Sequence, residues 1–272
     1  SKAEKESRMK TGIIGLGNMA CAILDGMLKD GIVTKDELTG SAATEKTVQR
    51  IAEKYGIKTT RSNAEVASDA ELLILAVKPQ FLLEVINEIK DTLHEDTLLI
   101  TIAAGKKIGW YEEAFGRRVH LVRCMPNTPA MVGEGCTAVC VNENVTESER
   151  QTALRLLGSF GRTCEIRESL MDAFSAVAGS SPAYVFMFIE AMADAGVAAG
   201  LPRAQAYEAA AQTVFGSAKL MLQTGRHPGD LKDMVCSPGG TTIQGVKALE
   251  EHGMRGAVMN AIDACVEKAK SL

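Results

Sequence analysis

Histidine is scarce in this 272-residue chain: its four copies, at 94, 120, 227 and 252, are scattered and read as surface or capping residues. No histidine-centred proton relay stands out. Cys-x-x-Cys pairs are absent, although seven cysteines occur, at 21, 124, 136, 140, 164, 236 and 265. Their odd number and apolar neighbours argue against a disulfide framework and for reduced, mostly buried thiols in the cytoplasm. Cys136 and Cys140 fall on one face of a predicted strand, which is core spacing before it is metal spacing, and no metal is expected. A basic excess is missing too. The net charge of −4 speaks against broad nucleic-acid binding, which wants a basic face. No signal peptide is recognised, and the most apolar helix candidate, around Ala183 to Leu201, is interrupted by Glu190 and Asp194, so no membrane partner is expected. There is no internal repeat and no low-complexity segment.

What remains is typical of a soluble globular protein, with 46% apolar and 24% charged residues. Ser1–Arg8 is a charged leader without periodicity, read as a disordered tail or tag remnant. From there to about Arg167, short apolar runs alternate with amphipathic stretches. Strands are expected at Thr11–Gly15, Glu37–Ser41, Glu71–Val77, Thr97–Ala103, Val119–Arg123, Cys136–Val141 and Thr163–Ile166. Helices are expected at Asn18–Lys29, Glu45–Tyr55, Pro79–Ile89 and Glu147–Phe160, and capping boxes at Ser62-x-x-Glu65 and Thr146-x-x-Glu149 announce helix starts. Such alternation predicts a doubly wound, mostly parallel sheet with helices on both faces. After Glu168 the strands stop, and Met171–Ala178, Ala183–Gly200, Arg203–Gln223 and Met254–Lys270 read as helices. The expected division is a Rossmann-type α/β domain over 9–167 and an all-α domain over 168–272. A helical bundle this apolar finishes its core against a second copy, which predicts a homodimer through the second half.

Gly15-Leu16-Gly17-Asn18-Met19-Ala20 follows a strand and opens a helix, the context that a dinucleotide fingerprint requires. Gly15 permits the tight turn, Gly17 admits a pyrophosphate, and Ala20 is the small residue where helix meets strand. At the tip of the second strand, Gly40-Ser41-Ala42-Ala43-Thr44 offers no acid to grip a ribose diol. Hydroxyls and Lys46 there favour NADPH, with NADH left possible. Ala76-Val77-Lys78-Pro79 and Thr101-Ile102-Ala103 close later strands in compact style; the Lys78 ammonium either touches phosphate or ribose or reaches solvent. Arg123-Cys124-Met125-Pro126-Asn127-Thr128-Pro129 is a rigid loop whose Asn127 offers donor and acceptor to a carboxamide.

Near the other end, Cys236-Ser237-Pro238-Gly239-Gly240-Thr241-Thr242 runs into a helix marked by Ile243, Val246 and Leu249. Two glycines let backbone N–H groups converge and two threonines add hydroxyls, which makes a seat for a small anion such as a carboxylate. An anion seat with a dinucleotide seat points to a redox enzyme.

Taken in order, Gly-x-Gly-Asn-Met-Ala, Ala-Val-Lys-Pro, Met-Pro-Asn-Thr-Pro, Gly-Ser-x-Pro-Ala-Tyr and Ser-Pro-Gly-Gly-Thr-Thr make the chain from Met9 onward resemble the pyrroline-5-carboxylate reductase family. The resemblance implies a Rossmann domain followed by a helical dimerisation domain. It also implies reduction of a cyclic imino acid to proline by hydride transfer from the nicotinamide. Ser237, Gly239, Gly240 and Thr241 would hold the substrate carboxylate, and the catalytic Thr242 would hydrogen-bond the ring nitrogen. Glu168 matches an acid that lies near the bound ring, and Asn63 a residue near the adenine ribose, with plain helix capping the other reading for Asn63. Cofactor contacts are expected from Gly15, Leu16, Gly17, Asn18, Met19, Ser41, Asn63, Ala76, Val77, Lys78, Pro79, Ala103, Met125 and Asn127.

The chain departs from the family pattern at Ser181, where a second glycine is usual, at the second-strand tip, which lacks a basic residue, and at Met234, where some relatives carry asparagine. None removes a group the reaction requires. A β-hydroxyacid dehydrogenase would need a lysine on a helix of the second domain, and Gly179-Ser180-Ser181-Pro182-Ala183-Tyr184 has none. A nucleotide sensor without turnover would show a broken anion seat, and this one is intact. A reductase for a related cyclic imine, with a six-membered or hydroxylated ring, stays open.

Overall fold

Leu72–Leu75 reads Leu-Leu-Ile-Leu, and all four residues are buried. A strand that is apolar at every position needs cover on both faces, as a parallel sheet between two helix layers provides. The computed structural model, which describes residues 9–271, has this arrangement; the leader expected at 1–8 lies outside the described residues. Two compact units emerge, the first ending at Gly179 and the second running Ser180–Ser271.

The first unit holds eight strands: β1 Thr11–Ile14, β2 Leu38–Ser41, β3 Lys58–Thr60, β4 Leu72–Leu75, β5 Leu98–Thr101, β6 His120–Met125, β7 Gly135–Val141 and β8 Gly161–Glu165. They lie in the order β3-β2-β1-β4-β5-β6-β7-β8, parallel except at the β6–β7 pair. Its helices are α1 Asn18–Lys29, α2 Glu45–Tyr55, α3 Asn63–Asp69, α4 Leu82–Ile89, α5 Ile108–Phe115, α6 Glu147–Leu157 and α7 Met171–Phe174, followed by a π-helical turn over Ser175–Ser180.

Alternate strand residues feed two cores. Ile13, Leu72, Ile74, Leu98 and Ile100 pack with α1, α2 and α6 through Ile23, Leu24, Ile51 and Leu156. Ile14, Leu73, Leu75 and Leu99 pack with α3, α4 and α5 through Val66, Ile86, Ile89 and Phe115. The doubly wound sheet expected from the alternation is therefore present. Strand order reverses between β1 and β4, and the crevice beyond their carboxyl ends is where open α/β sheets bind ligands.

Differences from expectation have local causes. β3 has no apolar run, since Lys58-Thr59-Thr60 is a short edge strand whose one strand partner is β2. α5 carries Gly109 and two aromatics, which mute its helical signal. β8 starts at Gly161, two residues earlier than expected. Gly161 has φ of +148°, and a Cβ there would fall inside the backbone of Gly135 on β7. The Thr146 capping box forms in full. At α3 only half of the Ser62 box forms: Ser62 Oγ accepts from Glu65 N–H, but the Glu65 carboxylate turns to Lys58 and Thr60.

The second unit contains α8 Ser181–Ala198, α9 Arg203–Thr224, α10 Pro228–Val235, α11 Thr241–Glu251 and α12 Met254–Lys270. Its buried apolar residues, Ala193, Ala206 and Ala210, are all alanines. Phe186, Met187, Leu222, Val235 and Met259 are each more than half exposed. The Tyr184 hydroxyl and Cys265 Sγ, 2.8 Å apart, join α8 to α12. By length and composition the stretch Glu168–Ala198 is apolar enough to cross a membrane. Three buried alanines cannot stabilise five helices, because burying each large apolar side chain contributes about 1.5–3 kcal/mol and these side chains are outside. The chain should run at twice its monomer mass in light scattering. Phe186→Asp with Met259→Asp should give a monomer with a lower melting temperature; a stable monomer of the unmodified chain would contradict this reading.

Candidate active site

The turn after β1 is set by Gly15, whose φ is +94°. A Cβ there would lie 2.7 Å from the carbonyl oxygen of Ala76 at the end of β4, so no side chain fits between the two strand ends. Backbone bonds lock the crossing: Gly15 N–H donates to Ser41 O at 2.9 Å and Ala76 N–H to Ile14 O at 2.8 Å. Gly17 differs. Its φ is an ordinary −82°, and a Cβ there would meet nothing within 4 Å. Nothing among the described residues demands glycine at 17, whereas a ligand drawn close to the backbone would.

Gly17 is the N-cap of α1, which has no side-chain cap and no acid in its first turn. α2, α3 and α6, by contrast, are capped by Thr44, Ser62 and Thr146. The first N–H groups of α1 are thus left for an anion, with the positive end of the helix dipole behind them. Asn18 is exposed and Ala20 buried, so the helix start is open while its inner side packs. Leu16 is buried against Gly40, which leaves only its backbone for a ligand.

Beside this turn lies a cavity of ≈ 360 Å³. Gly15, Ser41, Asn63 and Val77, all expected at the cofactor, line it together. Ser41 is fully buried, and its hydroxyl donates to Asn63 Oδ1 at 2.7 Å. Asn63 Nδ2 donates to Glu88 Oε2 at 2.6 Å. Asn63 therefore does no helix capping: its amide belongs to the cavity wall. Lys78 is exposed and precedes the single turn begun by Pro79.

Further along the edge, Ala103 is buried, and Thr101 Oγ1 lies 2.6 Å from the Tyr111 hydroxyl. Burial pushes the Tyr111 phenol up to about 12. The Asn127 amide is already engaged: Oδ1 accepts from Cys136 N–H at 2.8 Å and Nδ2 donates to Ala178 O at 3.0 Å. In this structure the side chain braces the loop after Met125. Glu168 Oε1 accepts from Arg123 Nη1 at 2.7 Å and from Ile108 N–H at 2.6 Å, tying the middle of β6 to the start of α5. Sequence reading passed over Arg123, although a charged residue inside the apolar run Leu121-Val122-Arg123-Cys124 is a signal in itself, since buried charge needs a partner. Burial pushes the nearby Cys140 thiol up to about 11, and Glu168 adds to the shift. All seven cysteines are free.

In the second unit the anion-seat residues are contiguous. Gly240 N–H donates to Ser237 O at 3.0 Å, closing a turn with Pro238 second and Gly239, at φ of +69°, third. This is the residue pattern of a type II turn. Gly240 is the N-cap of α11, and a Cβ on it would sit 2.5 Å from Ser237 Oγ. Like α1, α11 has no side-chain cap and no acid in its first turn. Thr241 and Thr242 are exposed at this open end.

A doubly wound sheet with an uncapped glycine turn at its switch point, joined to helices with a second uncapped turn, defines a nicotinamide-dinucleotide oxidoreductase. Residues 168–272 match the family model described as pyrroline-5-carboxylate reductase dimerisation, and residues 10–105 that of NADP oxidoreductase, coenzyme F420-dependent. The chain is 46% identical over 263 residues to pyrroline-5-carboxylate reductase of Escherichia coli K12, covering 97% of this chain and 98% of that one. It is similar to the solved structure of a pyrroline-5-carboxylate reductase from Coxiella burnetii, with TM-score 0.92 and 33% identity over 97% and 98% of the two chains. The Plasmodium falciparum enzyme, solved with NADP bound, matches with TM-score 0.86 and 36% identity, covering 97% of each. The chain belongs to the pyrroline-5-carboxylate reductase family. The dimerisation match supplies a protein cover, self-association, for the apolar faces of the helical unit.

Gly17→Ala should leave unfolding stability within about 0.5 kcal/mol, as at other exposed sites. It should weaken dinucleotide binding, read by quenching of protein fluorescence or by calorimetry; unaltered binding would remove the cradle assignment. Arg123→Met should cost about 3 kcal/mol of stability in urea unfolding, because the partly buried Glu168 carboxylate loses its counter-charge.

Proposed function

We propose that this chain reduces 1-pyrroline-5-carboxylate to L-proline, the last step of proline biosynthesis, with NADPH as donor, as a homodimer in the cytoplasm. The observation that carries the substrate side is the turn Ser237–Gly240, which leaves the first N–H groups of α11 without a partner among the described residues. A carboxylate suits them, and the hydroxyls of Ser237 and Thr241 complete the seat. Seven free thiols agree with a reducing compartment.

When bound, the dinucleotide supplies a hydride to the imine carbon. Backbone N–H groups from Leu16 to Met19 would hold its pyrophosphate, with Gly15 shaping the turn, and Ser41 with Asn63 would form the wall at its ribose. Ala76–Pro79, Ala103 and the backbone of Met125–Asn127 border the remainder. Thr242 positions the ring nitrogen through its hydroxyl, so that the carbon is presented in one orientation. An imine protonated in water is already electrophilic; its C=N electron pair moves onto nitrogen as the hydride arrives, and no strong general acid is required. Histidine scarcity is consistent with this. Catalysis then rests on placement and on a fixed field around the carboxylate and the ring nitrogen. We assign Glu168, with Arg123 as its counter-charge, a place at the border of the substrate region.

The direct test follows loss of reduced-nicotinamide absorbance with racemic pyrroline-5-carboxylate and assays L-proline. Oxidation with proline formed supports the reading; oxidation only with a six-membered cyclic imine would reassign the substrate. Thr242→Ala should lower kcat by about tenfold or more, the worth of one hydrogen bond to a charged group. Its melting temperature should not move, and unchanged turnover would sink the role given to Thr242.

A further inference from the structure

From its own sequence the tip of β2 has no basic residue, yet the fold brings one to it. β3 pairs in parallel with β2, with Thr60 opposite Ser41, and the residue that follows the strand is Arg61. Its side chain reaches across the strand end, where Nη2 donates to Ala43 O at 3.1 Å. Arg61 is exposed and lines the same ≈ 360 Å³ cavity as Gly15, Ser41, Ala42, Ala43 and Asn63.

The hydroxyls at this tip are already engaged. Ser41 Oγ donates to Asn63, and Thr44 Oγ1 caps α2 by accepting from Thr47 N–H. The acids are engaged as well: Glu88 receives the Asn63 amide, and Glu65 is held by Lys58 and Thr60. Glu84 lines the cavity from α4. Among the described residues Arg61 has no ion pair. One nitrogen rests on a carbonyl and the remaining N–H groups of the planar fork are uncommitted, which is the arrangement that recognises a phosphate. In dinucleotide folds an arginine beside the second strand accommodates the 2′-phosphate of the adenine ribose.

We propose that Arg61 is the residue that makes this chain discriminate for the 2′-phosphorylated dinucleotide. The proposal rests on the dinucleotide reading above and adds to it the group that sets the preference. Calorimetry with adenosine 2′,5′-bisphosphate and with adenosine 5′-monophosphate tests it without turnover. The unmodified chain should bind the bisphosphate about tenfold or more tighter, the factor expected for a hydrogen-bonded charge contact. Arg61→Met should abolish that preference while binding the monophosphate within about twofold of the original, as an exposed substitution allows. Arg61→Lys, which keeps the charge but loses the fork, should fall between. In steady state Arg61→Met should raise KM for NADPH and leave KM for NADH and both kcat values in place. Retained preference in Arg61→Met, or equal weakening of both nucleotides, would overturn the proposal and leave the dinucleotide reading standing. If the unmodified chain binds neither nucleotide, the dinucleotide reading itself falls and this proposal with it.

Discussion

At Gly15 the chain leaves β1 with φ of +94°, so close to the end of β4 that a Cβ would lie 2.7 Å from the Ala76 carbonyl oxygen. This steric constraint fixes the switch point of the sheet. It sends α1 away from the strand end with its first N–H groups outward, and it brings the tips of β1, β2 and β4 together around one cavity. Every residue assigned to the dinucleotide is positioned relative to that crossing. The two apolar cores on either side hold the strands in register, and the register carries the tips.

A recurring device is the helix that is left without a cap. α2, α3 and α6 satisfy their first turns with Thr44, Ser62 and Thr146, whereas α1 and α11 begin at Gly17 and Gly240 with none; α9 and α12 also lack a side-chain cap. An N-cap side chain is worth about 1 kcal/mol, so its omission at Gly17 and Gly240 is a cost to folding that an anionic ligand can offset on binding. The charged pair Arg123–Glu168 is the opposite case. It is satisfied internally, with the Ile108 N–H as third member, and it holds β6, α5 and the segment before α7 together.

Much of this was legible before any coordinates. The strands β1, β4, β5, β6 and β7 come from short apolar runs, and α1, α2 and α6 from apolar periodicity, with capping residues at α2 and α6. Gly15, Gly17 and the Ser237–Thr242 seat were readable because backbone turns of this kind leave glycine at fixed spacing. β3 was not readable: three polar residues on a sheet edge become a strand only when β2 offers its hydrogen bonds. Side-chain commitments were not readable either. Asn127 and Ser41 carry the right groups for a ligand, but whether those groups are free depends on neighbours 9 and 22 residues away in sequence.

The sequence by itself determined the layer architecture, the glycine turns and the change from α/β to all-α after Glu168, because these follow from local sterics and from the period of apolar residues. Tertiary structure alone decided which polar groups pair with one another and which remain open. It satisfied Arg123 with Glu168, tied Asn63 to Ser41 and Glu88, and carried Arg61 to the tip of β2. Such pairings join residues distant along the chain, and they form only when the sheet sets its strand order and register. Short-range pattern therefore located the seats for the ligands, while long-range pairing chose the charges around them.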